Sequence, residues 1–304
     1  MSSAADPEEF VAMCANCGAV LAGPFCSACG QSVEAIRRPV WEFIEHTLET
    51  IFDFDKRGLR SLTLLFVPGE MTAQYLAGRR ARFVPPVRFY IFVSLLFFLA
   101  IWATDTAIVQ FRSVASPGEQ AAGKGRLGMT YFSPLDTSPD PSATAAADKL
   151  PVMEVDGYQP EWARRLSDGL KHGVANPALL NGNLSELFPK VMFALVPLFG
   201  LFSRGVYLLR GKFLVEHLVF ALHFHTFAFL LATVLVLIGA ILPGGLASWM
   251  FFLPVFAYLL VALRRVFGGS WLGTAVREAV LLLLYGTAFF AGMMFLLGSS
   301  LSEL

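Results

Sequence analysis

The sequence predicts an all-α integral membrane protein with about five transmembrane helices. Of its 304 residues, 56% are hydrophobic and only 15% are charged, whereas a soluble domain is typically about 25% charged. The apolar residues are concentrated in long blocks, and several blocks reach the roughly 20 residues that a helix needs to cross a bilayer. The formal net charge is zero. We therefore expect the lipid bilayer as the main partner and no nucleic acid.

The four cysteines form one motif near the N-terminus. Cys14, Cys17, Cys26 and Cys29 have the spacing C-x2-C-x8-C-x2-C, and each pair is followed by a glycine. The two-residue gap lets both thiolates of a pair reach one ion, and four thiolates suit a closed tetrahedral site. Residues 13–32 are therefore predicted to be a zinc ribbon with structural Zn²⁺, which presents a small surface to a protein partner. Rubredoxin-like iron and a dithiol redox pair are the alternatives.

The segments before the first span are expected to lie at the membrane surface. Residues 1–12 are predicted to be a disordered tail, and they lack the apolar core of a signal peptide. Residues 33–86 contain three apolar-faced segments, interrupted at Pro68-Gly69 and at Gly78. In the first segment, apolar residues recur at helical spacing, with acidic residues mostly on the other side. We predict interfacial amphipathic helices here, with a small soluble helical domain as the alternative.

Five apolar blocks are predicted to cross the membrane. The second contains Pro189, Pro197 and Gly200, so a kinked helix is expected, with a re-entrant or broken helix as the alternative. A long polar segment after the first block is expected to be a flexible external loop, with a helical pattern only at 160–173. The spans are predicted at residues 87–107, 184–209, 213–241, 246–263 and 276–297, with the loop at 108–183.

The distribution of Lys and Arg orients these spans, because cytosolic segments carry an excess of both. The region up to Arg88 and the links 204–212 and 264–277 together hold fifteen of the 23 Lys and Arg residues. The 243–248 turn and the C-terminal tail hold none. The sequence therefore predicts a cytosolic N-terminus, an external 108–183 loop and an external C-terminus.

The third span carries four ionisable residues, Glu216, His217, His223 and His225. Ionisable groups at membrane depth are costly and by default mark function. At 100° per residue, Glu216 and His223 lie within about 20° of each other, whereas His217 and His225 share a broader second sector. The polar face must look into the bundle, because lipid cannot satisfy it. Arg204, near the end of the second span, is the expected counter-ion for Glu216.

Three interpretations of these residues remain open. The histidines can hydrogen-bond to neighbouring helices and specify their packing. They can form a proton or ion relay. Together with Glu216 they can bind a metal in a catalytic site, although His223 and His225 point to opposite sides of a straight helix. His46 could join such a site from the surface helix, and His172 in the long loop is most simply solvated.

Three stretches of the chain also resemble a known family. They are CANCGAVLAGPFCSACGQ, SLTLLFVPGEMTAQYLAGRRARFVPPVRFYIFVSLLFF and VEHLVFALHFHTF. Their zinc ribbon, Pro-Gly-Glu segment, arginine-rich run and Glu-His-x-x-Phe-x-x-His-x-His helix resemble a bacterial membrane-protein family catalogued only as a domain of unknown function. The resemblance covers residues 14–103 and about 187–295. It implies a location in the bacterial cytoplasmic membrane, and it supplies no activity.

The residues indicate no reaction and no substrate, so the functional interpretation is coarse. The chain is interpreted as a bacterial inner-membrane protein of unknown activity. It would act as a membrane-embedded interaction or sensing module whose ribbon faces a partner. The alternative is a transporter or an intramembrane metal-dependent enzyme that uses the Glu/His residues of the third span.

The predicted topology can be checked with alkaline phosphatase fusions, because this enzyme is active only outside the cytoplasm. A fusion after Ala145, in the 108–183 loop, should be active. A fusion after Gly268, in the 264–277 link, should be inactive. The measurement is hydrolysis of a chromogenic phosphate ester by intact cells, normalised to the amount of fusion protein. The opposite pattern would invert the predicted orientation.

Overall fold

Seven α-helices and one antiparallel pair of β-strands have both ends within the described part of the chain. The computed structural model describes residues 12–32, 56–114, 126–134, 177–239 and 246–301, with positions 160, 161, 164, 167, 168 and 171. The helices are α1 (Lys56–Leu65), α2 (Glu70–Leu76), α3 (Pro86–Thr104), α4 (Pro177–Val206), α5 (Leu214–Ile238), α6 (Leu246–Phe267) and α7 (Trp271–Leu301). Short 3-10 turns lie at Arg80–Arg82 and Leu208–Arg210. The strands are β1 (Thr106–Val114) and β2 (Arg126–Pro134).

Five of these helices are long and apolar enough to cross a membrane. The candidate spans are Arg80–Thr104, Glu186–Val206, Leu214–Ile238, Trp249–Phe267 and Trp271–Phe295. They correspond to α3 through α7, which confirms the five apolar helices predicted from the sequence and indicates a multi-pass membrane protein. The most enclosed of them is α5, with 56% of its apolar window buried inside the protein, against 17% for α7. The central helix of the bundle is therefore α5, which packs against α3, α4 and α6.

Prolines affect the spans differently according to their position. Pro86 is the first residue of α3, where its missing N–H removes no helical hydrogen bond. Pro189 and Pro197 lie inside α4, which nevertheless continues as a single helix from Pro177 to Val206. The second span is therefore a continuous helix, and the re-entrant or broken alternative is wrong. The helix also begins seven residues before the predicted boundary at residue 184.

The segment predicted as a flexible loop at 108–183 contains regular structure at its start. Strands β1 and β2 pair antiparallel, with Val109 opposite Tyr131 and Phe111 opposite Met129. Both strand sequences are rich in β-branched and aromatic residues, which favour strands, so the expectation of a flexible loop is wrong for these residues. The described positions between 161 and 171 are helical, in agreement with the pattern at 160–173. Residues 1–11 and 33–55, with the predicted tail and first amphipathic segment, lie outside the described residues.

The turn between α1 and α2 is held against α6. Tyr258 donates a hydrogen bond from its hydroxyl to the carbonyl of Leu65 at 2.9 Å, and Arg265 donates to the carbonyl of Pro68 at 2.6 Å. Gly69 has a left-handed φ of 72°. A Cβ on Gly69 would lie 2.9 Å from the Cα of Ala262, so only glycine allows this approach. The helix that follows, α2, therefore begins in direct contact with the bundle.

Aromatic side chains fill the space around α5. Phe229 stacks on Phe97 with ring centroids 4.9 Å apart. Two residues earlier on α5, Phe227 stacks on Tyr258 with ring centroids 3.8 Å apart. Such pairs add about 0.5–1.5 kcal/mol each beyond the area that they bury. The position of α5 relative to α3 and α6 is therefore set by large, rigid side chains.

The close approach of Gly69 to α6 predicts a stability difference between two glycine substitutions. Gly69→Ala should lower the free energy of unfolding by at least about 1 kcal/mol, because alanine is strained at a left-handed φ and its Cβ would overlap Ala262. Gly205→Ala in α4 is the matched control, since nothing lies within 4 Å of its Cβ position. The measurement is thermal unfolding in detergent. Equal melting temperatures for the two variants would contradict the packing of this turn on α6.

Candidate functional site

The cysteines lie on two turns of the same construction. Gly18 and Gly30 have left-handed φ angles of 77° and 71°. Their N–H groups donate to the carbonyls of Cys14 and Cys26, both at 2.8 Å. Each turn is therefore a tight knuckle in which glycine supplies the conformation that other residues rarely adopt. The two knuckles place their four thiols face to face.

The four sulfur atoms have the spacing of a tetrahedral metal site. The Sγ atoms of Cys14 and Cys29 are 3.7 Å apart, and those of Cys17 and Cys26 are 3.6 Å apart. All four lie within 4.8 Å of one another. Metal–sulfur bonds of about 2.3 Å give tetrahedron edges of about 3.8 Å, so this group could hold a metal ion. In the described part of the chain, no other group of three His, Cys, Asp or Glu residues has this capacity.

One side chain, Gln31, attaches the cysteine module to the rest of the protein. Its Nε2 donates to the carbonyl of Gly78 at 2.6 Å, and its Oε1 accepts from the N–H groups of Arg80 and Ala81 at 3.0 and 3.1 Å. Arg82 adds a bond from its guanidinium to the carbonyl of Asn16 at 2.8 Å. The module is therefore docked on the segment that joins α2 to α3. All three hydrogen bonds of Gln31 are lost if its amide is removed.

A cavity of about 280 Å³ lies beside this contact. Its lining includes Cys29, Arg57, Tyr75 and Arg80. Burial raises the pKa of the Tyr75 phenol to about 12, so that hydroxyl remains protonated at neutral pH. The cavity combines a thiol of the cysteine cluster, two guanidinium groups and a phenol.

His223 is buried where α2 meets α5. Its ring is 1% exposed, and its Nδ1 lies 2.9 Å from the hydroxyl oxygen of Thr72. The ring of Tyr75 lies edge-on to it, with centroids 5.9 Å apart. The Nε2 atom has no hydrogen-bond partner. His223 therefore faces the interior of the bundle rather than lipid, as the sequence led us to expect, and its polar neighbour is a hydroxyl group from α2.

His217 contacts a different set of elements. Its Nδ1 lies 2.8 Å from the hydroxyl oxygen of Ser203 on α4. Its ring stacks on Phe267 at the end of α6, with centroids 4.4 Å apart and planes 8° apart. Its Nε2, like that of His223, is buried without a partner. His217 thus ties α5 to α4 and α6.

His225 makes a third contact, which is separate from those of His223 and His217. Its Nδ1 lies 2.8 Å from the carbonyl oxygen of Ala221, and its Nε2 lies 2.8 Å from the hydroxyl oxygen of Tyr285. A carbonyl can only accept, so Nδ1 must carry the proton, and the Tyr285 hydroxyl then donates to Nε2. Both nitrogens of this ring are satisfied. His225 thus ties α5 to α7.

Glu216 closes the N-terminus of α5. Its Oε2 accepts a hydrogen bond from the N–H of Phe213 at 2.7 Å, and its Oε1 is 3.2 Å from Nζ of Lys212. Arg204 instead donates to the carbonyl of Leu208 at 3.5 Å. The prediction that Arg204 is the counter-ion of Glu216 is therefore wrong. A carboxylate at the third helical position is adjacent to a free backbone donor, and Lys212 lies one turn before it.

The four ionisable residues of α5 therefore do not form one site. Each histidine bonds through Nδ1 to a different partner, and Glu216 caps the helix. The hydroxyl partners Thr72 and Ser203 were not predicted from the sequence. Single hydroxyl residues carry no spacing signal that would identify them. His46 and His172 lie outside the described residues.

One comparison with known proteins gives a match. A family described as a protein of unknown function (DUF3667) matches residues 55–98. The matched segment contains α1, α2 and most of α3, with Thr72 and Tyr75, but neither the cysteines nor α5. Over this segment, the match supports the resemblance to an uncharacterised domain family. No curated protein and no solved structure matches the chain.

The contact between Thr72 and His223 predicts a measurable loss of stability. Thr72→Val keeps the shape of the side chain but leaves Nδ1 of His223 without a partner. The free energy of unfolding should fall by about 1–2 kcal/mol. Thr287→Val is the control, because that exposed hydroxyl bonds only to Leu283 of its own helix. The measurement is thermal unfolding in detergent, and a Thr72→Val protein as stable as the control would contradict the role of this bond.

Proposed function

We propose that this chain is a bacterial inner-membrane protein that acts as an interaction or sensing module. Its N-terminal ribbon would hold structural Zn²⁺ on the cytosolic side and meet a protein partner there. The observation that carries the proposal is the attachment of the cysteine module by Gln31 to the segment between α2 and α3. A ribbon held in this way can pass a change in its own state to the membrane helices.

The choice of zinc rests on the ligands. Four thiolates at tetrahedral spacing suit Zn²⁺, which needs no further ligand in a closed structural site. Iron also binds four thiolates, so metal analysis of the purified protein distinguishes the two. A structural site of this kind stabilises the fold around it and performs no reaction.

The expectation of a protein partner is supported by apolar groups on the ribbon. Met13, Val20 and Phe25 are 65%, 59% and 64% exposed. Large apolar side chains gathered on a module of about twenty residues are typical of a contact surface rather than of a solvated one. Removing them from water would contribute to binding in proportion to their apolar area.

The connection to the membrane helices passes through α2. Gln31 holds the segment that directly follows α2, and Thr72 of α2 bonds to His223 of the central helix. Movement of the ribbon would therefore act on α2, and movement of α2 would act on a buried hydrogen bond of α5. This path is what makes sensing, rather than simple anchoring, the better proposal.

The alternative, a transporter or an intramembrane metal-dependent enzyme, has less support. The histidines of α5 bond to three different partners and do not gather around one point. The unpartnered Nε2 atoms of His217 and His223 are the feature that would favour a proton relay. Loss of a second metal with His223→Ala would favour the enzyme.

Metal content and hydrogen exchange test the ribbon. Cys26→Ser should abolish zinc binding, since three thiolates leave the site open, and should raise exchange in residues 12–32 and 78–82. Gln31→Ala should keep the zinc but raise exchange in residues 78–82. Ser27→Ala, at an exposed position of the ribbon, should change neither. Zinc is counted by plasma mass spectrometry, and full occupancy in Cys26→Ser would refute the four-cysteine site.

A photocrosslinking amino acid tests the partner. Placed at Phe25, it should capture one protein in cells, and the adduct should disappear when Cys26→Ser is introduced. The same probe at Arg60, an exposed position of α1, is the control. The interaction proposal fails if Phe25 and Arg60 give the same adducts or if Phe25 gives none.

A further inference from the structure

Two arginines converge on the turn between α6 and α7. This turn is Gly268-Gly269-Ser270, and its glycines have φ angles of 73° and 116°. A Cβ on Gly269 would lie 3.1 Å from Nη2 of Arg210, 3.6 Å from Nη1 of Arg277 and 3.6 Å from Oγ1 of Thr274. Two guanidinium groups therefore approach Gly269 closely, beside a hydroxyl that donates to the carbonyl of Ser270 at 2.9 Å.

The positive charges at this turn have no acidic partner among the described residues. The ion pairs in the described part of the chain join Lys190 to Glu186, Lys212 to Glu216 and Arg265 to Glu70, and none of them includes Arg210 or Arg277. Arg277 donates to the carbonyl of Gly273 at 3.2 Å and lies over the ring of Tyr207 at 5.3 Å. Two cations held close together repel each other. Their convergence is explained if an anion lies between them.

Two further features of the turn favour an anion. The first is the N-terminus of α7, a helix of 31 residues whose dipole is positive at this end. The second is Tyr207, which is 1% exposed. Its polar neighbours are the hydroxyl of Thr274 and the guanidinium groups of Arg277 and Arg210. A buried phenol therefore lies next to both guanidinium groups.

One nearby group opposes an anion and provides a useful variant. Glu278 is 8% exposed, its Oε1 has no partner, and it is also an electrostatic neighbour of Tyr207. It forms no ion pair with either arginine among the described residues. Its carboxylate would repel a bound anion, so its removal should strengthen binding rather than weaken it.

We propose that the turn at Gly268-Gly269-Ser270 binds a phosphate group, with Arg210 and Arg277 as its guanidinium ligands. Guanidinium donors match the oxygens of a phosphate in geometry and charge. Tyr207 carries a buried hydroxyl beside the guanidinium groups, and Gly269 adds no side chain between them. The phosphate can belong to a free phosphate ion or to the headgroup of an anionic lipid. This site contains no residue of the ribbon, and it does not rest on the function proposed above.

Binding of two probes to the full chain tests the site. The chain is purified in a maltoside detergent, which contains no phosphate. Inorganic phosphate is titrated by calorimetry, and phosphatidylglycerol is added and followed by native mass spectrometry. Arg210→Gln is the main variant, because Arg210 is exposed. Arg277→Gln is the second variant, and Arg79→Gln, another exposed arginine, is the control.

The wild-type chain should bind at least one of the two probes. Arg210→Gln and Arg277→Gln should each weaken that binding about tenfold or more, as expected for a lost charged hydrogen bond. Arg79→Gln should bind like the wild type, and Glu278→Gln should bind at least as tightly. Binding of phosphate identifies a free ion as a sufficient ligand, whereas binding of phosphatidylglycerol alone identifies a lipid. The proposal is overturned if neither probe binds, if Arg210→Gln binds as tightly as Arg79→Gln, or if Glu278→Gln binds more weakly.

Discussion

The fold depends on the hydrogen bonds that three buried imidazole rings make inside an apolar bundle. A lipid environment offers no water to a buried nitrogen, and an unpaired polar group there costs several kcal/mol. Thr72, Ser203 and Tyr285 provide hydroxyl groups for Nδ1 of His223, Nδ1 of His217 and Nε2 of His225, whereas Nε2 of His223 and of His217 has no partner. These hydroxyls come from α2, α4 and α7. Each histidine of α5 thus selects one neighbour, and together they fix how three helices lie around the central one.

This requirement explains why α2 is part of the bundle. Its sequence, EMTAQYL, lies in the segment predicted to form interfacial helices, because that segment has apolar faces, aromatic residues and flanking Lys and Arg. In the structure, Met71, Thr72 and Tyr75 are buried, and Gly69 allows the helix to begin in contact with Ala262 of α6. The aromatic pairs around α5 add rigidity to an arrangement that the hydroxyl–imidazole bonds specify.

The sequence was sufficient for the features that depend on local composition. The five spans follow from the length of the apolar blocks, and the cysteine cluster follows from its spacing. The left-handed glycines Gly18 and Gly30 follow from the knuckle pattern. These features require no knowledge of what lies nearby in space, so one sequence can predict them.

The predictions that were wrong, and the contacts that were not predicted, depend on distant contacts or on competing local signals. Arg204 was chosen as the partner of Glu216 because the two flank a short link, but the backbone N–H of Phe213 and Lys212 lie closer. The signal for this cap was present, since Glu216 is the third residue of the helix. The partner Thr72 lies 151 residues from His223, and no periodicity connects them. The convergence of Arg210 and Arg277 at Gly269 likewise exists only once α4 and α7 are packed.

The two proposed binding regions, the ribbon and the turn at Gly268-Gly269-Ser270, are connected by the last turn of α6. Ala262 packs on Gly69, and Arg265 holds the carbonyl of Pro68, so this turn contacts the entry to α2. Phe267, two residues further on, stacks on His217 and lies against Tyr207 at 4.9 Å. The chain then enters the turn at Gly269. A ligand that draws Arg210 and Arg277 together would press on Tyr207 and Phe267, whereas a change in the ribbon would act on α2. Both displacements would act on the C-terminal end of α6, because buried aromatic packing transmits small displacements. Binding at one place is therefore expected to alter the other by a shift of α6, without any contact between the two ligands.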